Sequence, residues 1–456
     1  MQISLLETLA QYGSILQDWL FPRLEEELGP LSEKHQQLVK VLGLLEIDRW
    51  IPSRRGRVGR PQRDRRAVAR AFVAKAVCNF GTTRALRDHL RTDAALRRIC
   101  GWENVRRVPD ESVFSRAFAA FAETELPQQV HAALIVKTQA ERLIGHVSRD
   151  STAIAVRERP VKPTETAAES REKAARAEAS SKHPRSKQPR KQTRTERQVI
   201  MTLPAMLAEL PRHCAIGCKT NSHGRKETWR GYKMHLDVAD GQIPISCLLT
   251  AASLHDSQVA IPMATLTATR VTSLYDLMDS AYDSELIRQH SRGLGHVPII
   301  DSQARRFKPA RPMLPHEANR FRERTTVERV NARLKDEFGG RSVRVRGALK
   351  VMAHLMFGIL ALTADHQADG RGRRPAVHAR PRPPREALRV RALRGALRRG
   401  RARSTLLHAP EGQSLVVPAL QPRLEGRHGQ SAQPRRPQGR HLSVVKTKSA
   451  ARSDVT

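Results

Sequence analysis

Acidic residues are scarce in this chain: 456 residues carry 45 Asp and Glu against 81 Lys and Arg, a formal charge of +36. Such an excess repels itself unless a polyanion neutralises it. Nucleic acid is the usual one, and a membrane surface is the weaker alternative. Long apolar runs are missing too. The most apolar stretch, VMAHLMFGILAL at 351–362, is too short to span a bilayer and contains His354, so it reads as a buried helix. The opening MQISLLETLAQYGSILQDWLFPRL has neither a basic n-region nor a continuous apolar segment, which argues against a secretory signal. Leu5, Leu6, Leu9, Ile15, Leu16 and Leu20 form a helical stripe there instead. The five cysteines are scattered and suit a reducing cytoplasm. Cys214 and Cys218 follow His213 in HCAIGC, but a zinc knuckle wants a second ligand pair, which Cys247 alone does not supply.

What is present changes along the chain. Residues 1–140 are rich in Leu, Ala and Arg at helical spacing, in segments such as 65–80, 82–102 and 108–123. Asp110 is a candidate N-cap for the last, with Val113, Phe114, Phe118 and Phe121 as its apolar side. An Arg-rich outside predicts either a helical DNA-binding domain or a plain basic bundle. From 142 the pattern becomes mixed: a strand ending near Asp150, a hairpin over 229–250 turning at ADGQ, a helix from about Asp256, a strand over 271–280, a helix over 284–290 and a short strand at 297–300. Residues 156–198 have almost no large apolar groups and read as a flexible basic insertion. Beyond about 366 the composition collapses; 371–403 hold 13 Arg and one acid. That tail is expected to be disordered and suits either nucleic-acid binding or an out-of-frame extension.

FRERTTVERVNARLKDEF, residues 321–338, reads as one helix. At about 100° per residue, Phe321, Arg324, Glu328 and Lys335 fall within roughly 60° of one another. Val327, Val330, Leu334 and Phe338 form a neighbouring apolar stripe. Taken alone, the charged face is a solvated one with ordinary salt bridges. Acids also stand at two strand ends, Asp150 and Asp279. Strand ends and an adjacent helix can converge in an α/β sheet. Three packed carboxylates repel and need divalent cations, and hard oxygen donors suit Mg²⁺ or Mn²⁺. Two such ions about 4 Å apart can activate water or a 3′ hydroxyl against a phosphodiester.

The segments SRDST, GYKMHLDV, IPISCLLTAASLHDSQVA, LMDSAYDS and RTTVERVNARLKDEFGGRSVRVRG resemble the DDE transposases of bacterial insertion sequences. They are most similar to the branch with a Tyr-x2-Arg-x3-Glu-x6-Lys helix, which here reads Phe321, Arg324, Glu328, Lys335. The resemblance spans about 60–150 and 205–365. It implies an RNase H-like α/β catalytic core (141–365, interrupted by the 156–198 insertion) after an all-α DNA-binding domain (1–140), with 366–456 as a tail. It implies that Asp150, Asp279 and Glu328 bind two Mg²⁺ (or Mn²⁺) ions and that Arg324 and Lys335 hold phosphates of the element end. The activity implied is strand cleavage and 3′-hydroxyl strand transfer. The partners implied are terminal inverted repeats and target DNA, met by a homodimer, with no nucleotide cofactor and no membrane, in the cytoplasm on the nucleoid. Phe in place of Tyr at 321 removes a hydroxyl that can bond phosphate, although the ring can still stack or pack. The other readings are an inert DNA-binding remnant and a nuclease that cuts without joining.

Other residues compete. Asp276 is most simply a strand residue facing solvent and Asp283 a helix N-cap. Asp301 reaches the site only if the sheet order differs. His255 and Asp256 read as caps rather than neighbours of the metals. Lys233 is either a DNA contact or an exposed strand lysine. Trp229 is either a base-stacking group or a half-buried aromatic at a strand entry.

Overall fold

Polar caps divide the N-terminal third into helices: α1 (Phe21–Leu28), α2 (Glu33–Leu45), α3 (Arg65–Val77), α4 (Thr83–Thr92), α5 (Ala94–Cys100), α6 (Glu111–Glu123) and α7 (Leu126–Gln139). Side chains of Ser32, Asp64, Thr82 and Asp93 accept from backbone N–H groups in the first turns of α2 to α5, satisfying donors that a helix start leaves open. The run 82–102 is therefore two helices, because Asp93 caps a new one. Asp110 precedes α6 as expected, yet its carboxylate makes no cap bond and faces Arg91 at 3.7 Å. This computed structural model describes residues 15, 19–52, 64–161, 192–220, 224–302, 304 and 309–368. The expectations for most of the opening stripe, for 162–191 of the insertion and for the tail from 369 lie outside them.

The remaining elements are β1 (Leu143–Ala155), α8 (Arg194–Gln198), α9 (Leu203–Glu209), β2 (Ala215–Thr220), β3 (Lys226–Ala239), β4 (Ile243–Ala251), α10 (Ser257–Ala268), β5 (Thr272–Met278), α11 (Glu285–Gly293), β6 (Val297–Ile300), α12 (Pro315–Phe321), α13 (Thr325–Asp336) and α14 (Ala348–Ala368). They build one mixed sheet. β3 pairs antiparallel with β1, β2 and β4, while β5 pairs parallel with β1 and β6 with β5.

Three differences from the sequence reading have identifiable causes. β1 does not end at Asp150 but continues to Ala155, because β3 keeps pairing with it as far as Gly231. Gly231 has φ +148°, and a Cβ there would lie 2.0 Å from the Ile154 carbonyl oxygen, so no other residue fits where the strands cross. The end of the basic insertion folds into α8, started by a capping box between Thr193 and Glu196. The stretch 321–338 is not one α-helix: a 3₁₀ turn at Arg322–Arg324 joins α12 to α13.

Alternation along the strands gives each face its own cover. Met234, Leu236 and Val238 of β3 share a core with Val330 and Leu334 of α13, with α14, and with Phe72 and Phe114 of the N-terminal helices. The helical region and the sheet thus share one hydrophobic core. α14 has the length and apolarity of a membrane span, but most of it is buried against α2, α3, α6, α7 and β4. On the other face, the buried Arg149 guanidinium donates to both oxygens of buried Asp237 at 2.7 Å, and Thr267 Oγ1 donates to the same carboxylate at 2.6 Å. Asp276 does not face solvent as expected: it is 2% exposed, bonded to Ser291 and to His296 at 3.1 Å, because α11 and the turn after it cover that side of β5.

Candidate active site

The last paired residues of parallel strands β1 and β5 are Arg149 and Met278. Asp150 and Asp279 come next, so the two acids leave neighbouring strands at one level. Asp150 lies on the face of β1 that α13 crosses. Its neighbours on that face are tied across: Ser148 Oγ donates to the Glu323 carbonyl at 3.3 Å, and Lys335 Nζ donates to Thr152 Oγ1 at 2.5 Å. Asp279 caps the short 3₁₀ turn Ser280–Tyr282 by accepting from the Ala281 N–H at 3.0 Å.

Both acids are held out of their usual range. Burial is the main cause that pushes the Asp150 carboxyl up to about 7. The Asp279 and Asp256 charges add to the rise, and the Ser151 N–H and Arg324 oppose it. Asp279 is raised first by burial, with Asp256 and Asp301 adding, against the Ala281 N–H and Arg324. Glu328, in the first turn of α13, accepts from Arg324 Nη2 at 2.6 Å and is 49% exposed. One guanidinium therefore acts on all three acids. Among the described residues no three His, Cys, Asp or Glu side chains stand close enough to hold a metal ion together; the third acid is turned to Arg324.

The other expected residues are distributed around this centre. The half-buried Phe321 ring has Arg324 at 5.7 Å from its centroid. Lys335 is lowered by burial and then by the Lys219 and Arg341 charges, so these cations gather where α13 ends. Lys233 is not an exposed strand lysine: its ammonium donates to the Leu254 carbonyl and to Asp256 Oδ1, each at 2.9 Å. Trp229 is a half-buried aromatic; its indole fills the space over Gly217 and its N–H donates to the Tyr232 carbonyl at 3.0 Å. Cys214 is buried and Cys218 exposed, as ordinary thiols are.

Sequence reasoning underrated two groups. Asp256 precedes α10 but makes no cap bond; its carboxylate binds Lys233 and acts on Asp150 and Asp279. Tyr282 is 1% exposed, and among the described residues its hydroxyl has no hydrogen-bond partner. Asp256, Asp150 and Asp279 all act on that phenol and, after burial, help hold it well above its usual range. Its position three residues after Asp279 was the available signal. Asp283 binds Arg288 at 3.0 Å and leaves the N-cap position of α11 to Ser284, while Asp301 is exposed after β6. Tyr282→Phe keeps the ring and removes an unbonded hydroxyl. In EDTA its melt is expected to match the parent or exceed it by about 1 kcal/mol. A clear loss of stability would mean that the hydroxyl has a partner.

A family model described as transposase DDE domain matches residues 207–364, and one described as transposase domain (DUF772) matches residues 26–120. Together they cover more than half of the chain. The chain belongs to the insertion-sequence DDE transposases. No curated protein gives a significant match. In this transposase the DDE match takes in Asp279 and Glu328, and Asp150 stands in the stretch between the two matched regions. The transposase acts on DNA, and its family generally uses divalent metal ions.

Proposed function

We propose that this transposase moves its element by metal-dependent cleavage at the terminal inverted repeats and transfer of the freed 3′ hydroxyl to target DNA, on an RNase H-like core. The sheet order β4–β3–β1–β5–β6, with β3 antiparallel and β5 and β6 parallel to β1, supports that fold. The observation that carries the reading is the pair Asp150 and Asp279, set side by side past the last β1–β5 pairing, with Glu328 on the helix that crosses β1. Two partly buried acids, both raised by burial and by the Asp256 charge, beside a Tyr282 hydroxyl that has no partner among the described residues, are a hard-oxygen environment that fits Mg²⁺ or Mn²⁺. Asp150, Asp279 and Glu328 would hold the ions; when bound, two such ions activate the attacking oxygen and stabilise the leaving one.

The residues of the chain do the rest. With ions bound, Glu328 would turn from Arg324 to them, and the guanidinium would then be left for a phosphate oxygen of the scissile strand. A planar fork of donors suits that contact. Lys335, tied to Thr152 one position-pair beyond Asp150, supplies the next cation along the strand. Phe321 packs under Arg324 and limits its swing. Lys233 acts on DNA only indirectly, by holding Asp256 beside the acids. The helical region recognises the element ends, and two protomers bring both ends together on the nucleoid. The test is a joining assay on the element's terminal repeats with Mg²⁺ or Mn²⁺. Joined products that need the metal are expected. Cutting without joining would make the protein a nuclease, and binding without cutting would make it an inert occupant of the ends.

A further inference from the structure

One turn beyond Lys335, a cavity of about 140 Å³ opens between the N-terminal helices and the loop after α13. It has the liquid volume of roughly four to five waters. Phe72 and Phe357 form its apolar wall, and Lys75 of α3 lines it. Lys75 is mostly buried, and burial lowers its ammonium to about 8. Among the described residues nothing pairs with that ammonium or accepts its protons. The acid on the rim, Glu111, stands 3.5 Å from Arg84 instead. His354, also in the wall, offers no counter-charge: burial first and the Lys75 charge second bring it down to about 4, and its Nε2 bonds the Gly339 carbonyl at 3.0 Å. Arg344 on the rim is exposed and, among the described residues, has no ion pair.

A cation held in an apolar wall without an anion is costly, and an occupant that brings charge and acceptor oxygens removes the cost. We propose that this cavity takes one backbone phosphate of bound DNA, with Lys75 as the inner cation and Arg344 as the outer one. Phe338, in its wall, is three residues after Lys335, about 5 Å along the axis of α13. Arg324 and Lys335 stand at the two ends of α13, and the segment that leaves Lys335 lines the cavity that holds Lys75. A phosphate on a free nucleotide has the same chemistry. The DNA strand is favoured because the protein acts on DNA and the chain that lines the cavity follows directly on Lys335.

The test needs neither metal nor catalysis, so its outcome is separate from that of the metal site. The full chain is titrated in EDTA into a fluorescent 30-base-pair duplex at several salt concentrations. Lys75→Met and Arg344→Gln are each expected to bind roughly 3- to 10-fold more weakly, with the slope of log affinity against log salt shallower by about one. In parallel, acetylation read by mass spectrometry is expected to label Lys75 readily in the free protein and slowly with duplex present. Met keeps the apolar stem of Lys75, and Arg344 is exposed and has no ion pair among the described residues, so thermal melts are expected to show both variants folded. Parental affinity and slope in both variants, or unchanged Lys75 labelling at saturating duplex, would overturn the proposal. So would protection of Lys75 by inorganic phosphate with none by DNA.

Discussion

Asp150→Asn is expected to abolish strand transfer while making the metal-free protein more stable. The loss follows from its place beside Asp279. An amide cannot supply the charge that holds a hard dication, and several kcal/mol of transition-state stabilisation corresponds to a rate lower by about 10³-fold or more. The gain follows from the same burial. The Asp150 carboxyl stands at about 7 in the fold, against the ordinary 3.8 of an aspartate. The folded chain therefore binds more protons than the unfolded chain between those values, and its stability falls as pH rises through that window. By pH 8 the penalty is complete. It is at most about 4 kcal/mol. Asparagine removes it. Melts in EDTA at pH 5 and pH 8 should show the variant's lead over the parent growing from pH 5 to pH 8, while gels show no joined product. Full joining by the variant would dismiss the ligand role, and an identical pH dependence would dismiss the strained acid. Glu328→Gln should lose joining just as completely with little change in the melt, because Glu328 is half exposed and its pair with Arg324 is worth little in water.

The second large effect lies one residue away, on the opposite face of β1. Asp237→Ala leaves the Arg149 guanidinium buried without its carboxylate and deprives Thr267 of its acceptor. Arg149 is 2% exposed, so water cannot take over. Breaking such a pair from one side costs about 3–5 kcal/mol. Whole domains are stable by about 5–15 kcal/mol, so this variant should be close to unfolding at ordinary temperatures. Replacing both partners by apolar residues, as in Arg149→Met with Asp237→Leu, should recover most of the loss, since neither charge then remains to be desolvated. Urea melts of the single and double variants separate the two cases. If the single variant melted within about 1 kcal/mol of the parent, the pair would be no clamp on β1. That clamp bears on function, because the backbone it holds at Arg149 is the backbone that aims Asp150.

Most of the chain's periodic segments were legible in advance, for local reasons. Helices α3, α4 and α6 follow from amphipathic spacing, and α3 and α4 also from caps whose side chains reach only their own first turn. The β3–β4 hairpin follows from alternating apolar residues around ADGQ, where Gly241 and Gln242 take positive φ. β2 was missed because its six residues, carrying Gly217 and Cys218, have no strand pattern; Trp229 across from Gly217 supplies the bulk that the glycine lacks. Asp276 was misread because alternation says which residues share a face, and it is α11, distant in sequence, that makes that face an interior. Lys233 was misread likewise: Asp256, its partner, comes 23 residues later.

The sequence by itself determined the charge, the helices with their caps, the three acids and the kinship they carry, because each rests on residue type and short spacing. Tertiary structure alone decided that Asp150 and Asp279 stand at one level, that Arg324 occupies Glu328, that Tyr282 has an unbonded hydroxyl and that Lys75 lines a cavity without an anion. Those facts depend on which distant surfaces exclude water from a group, and no local pattern encodes that.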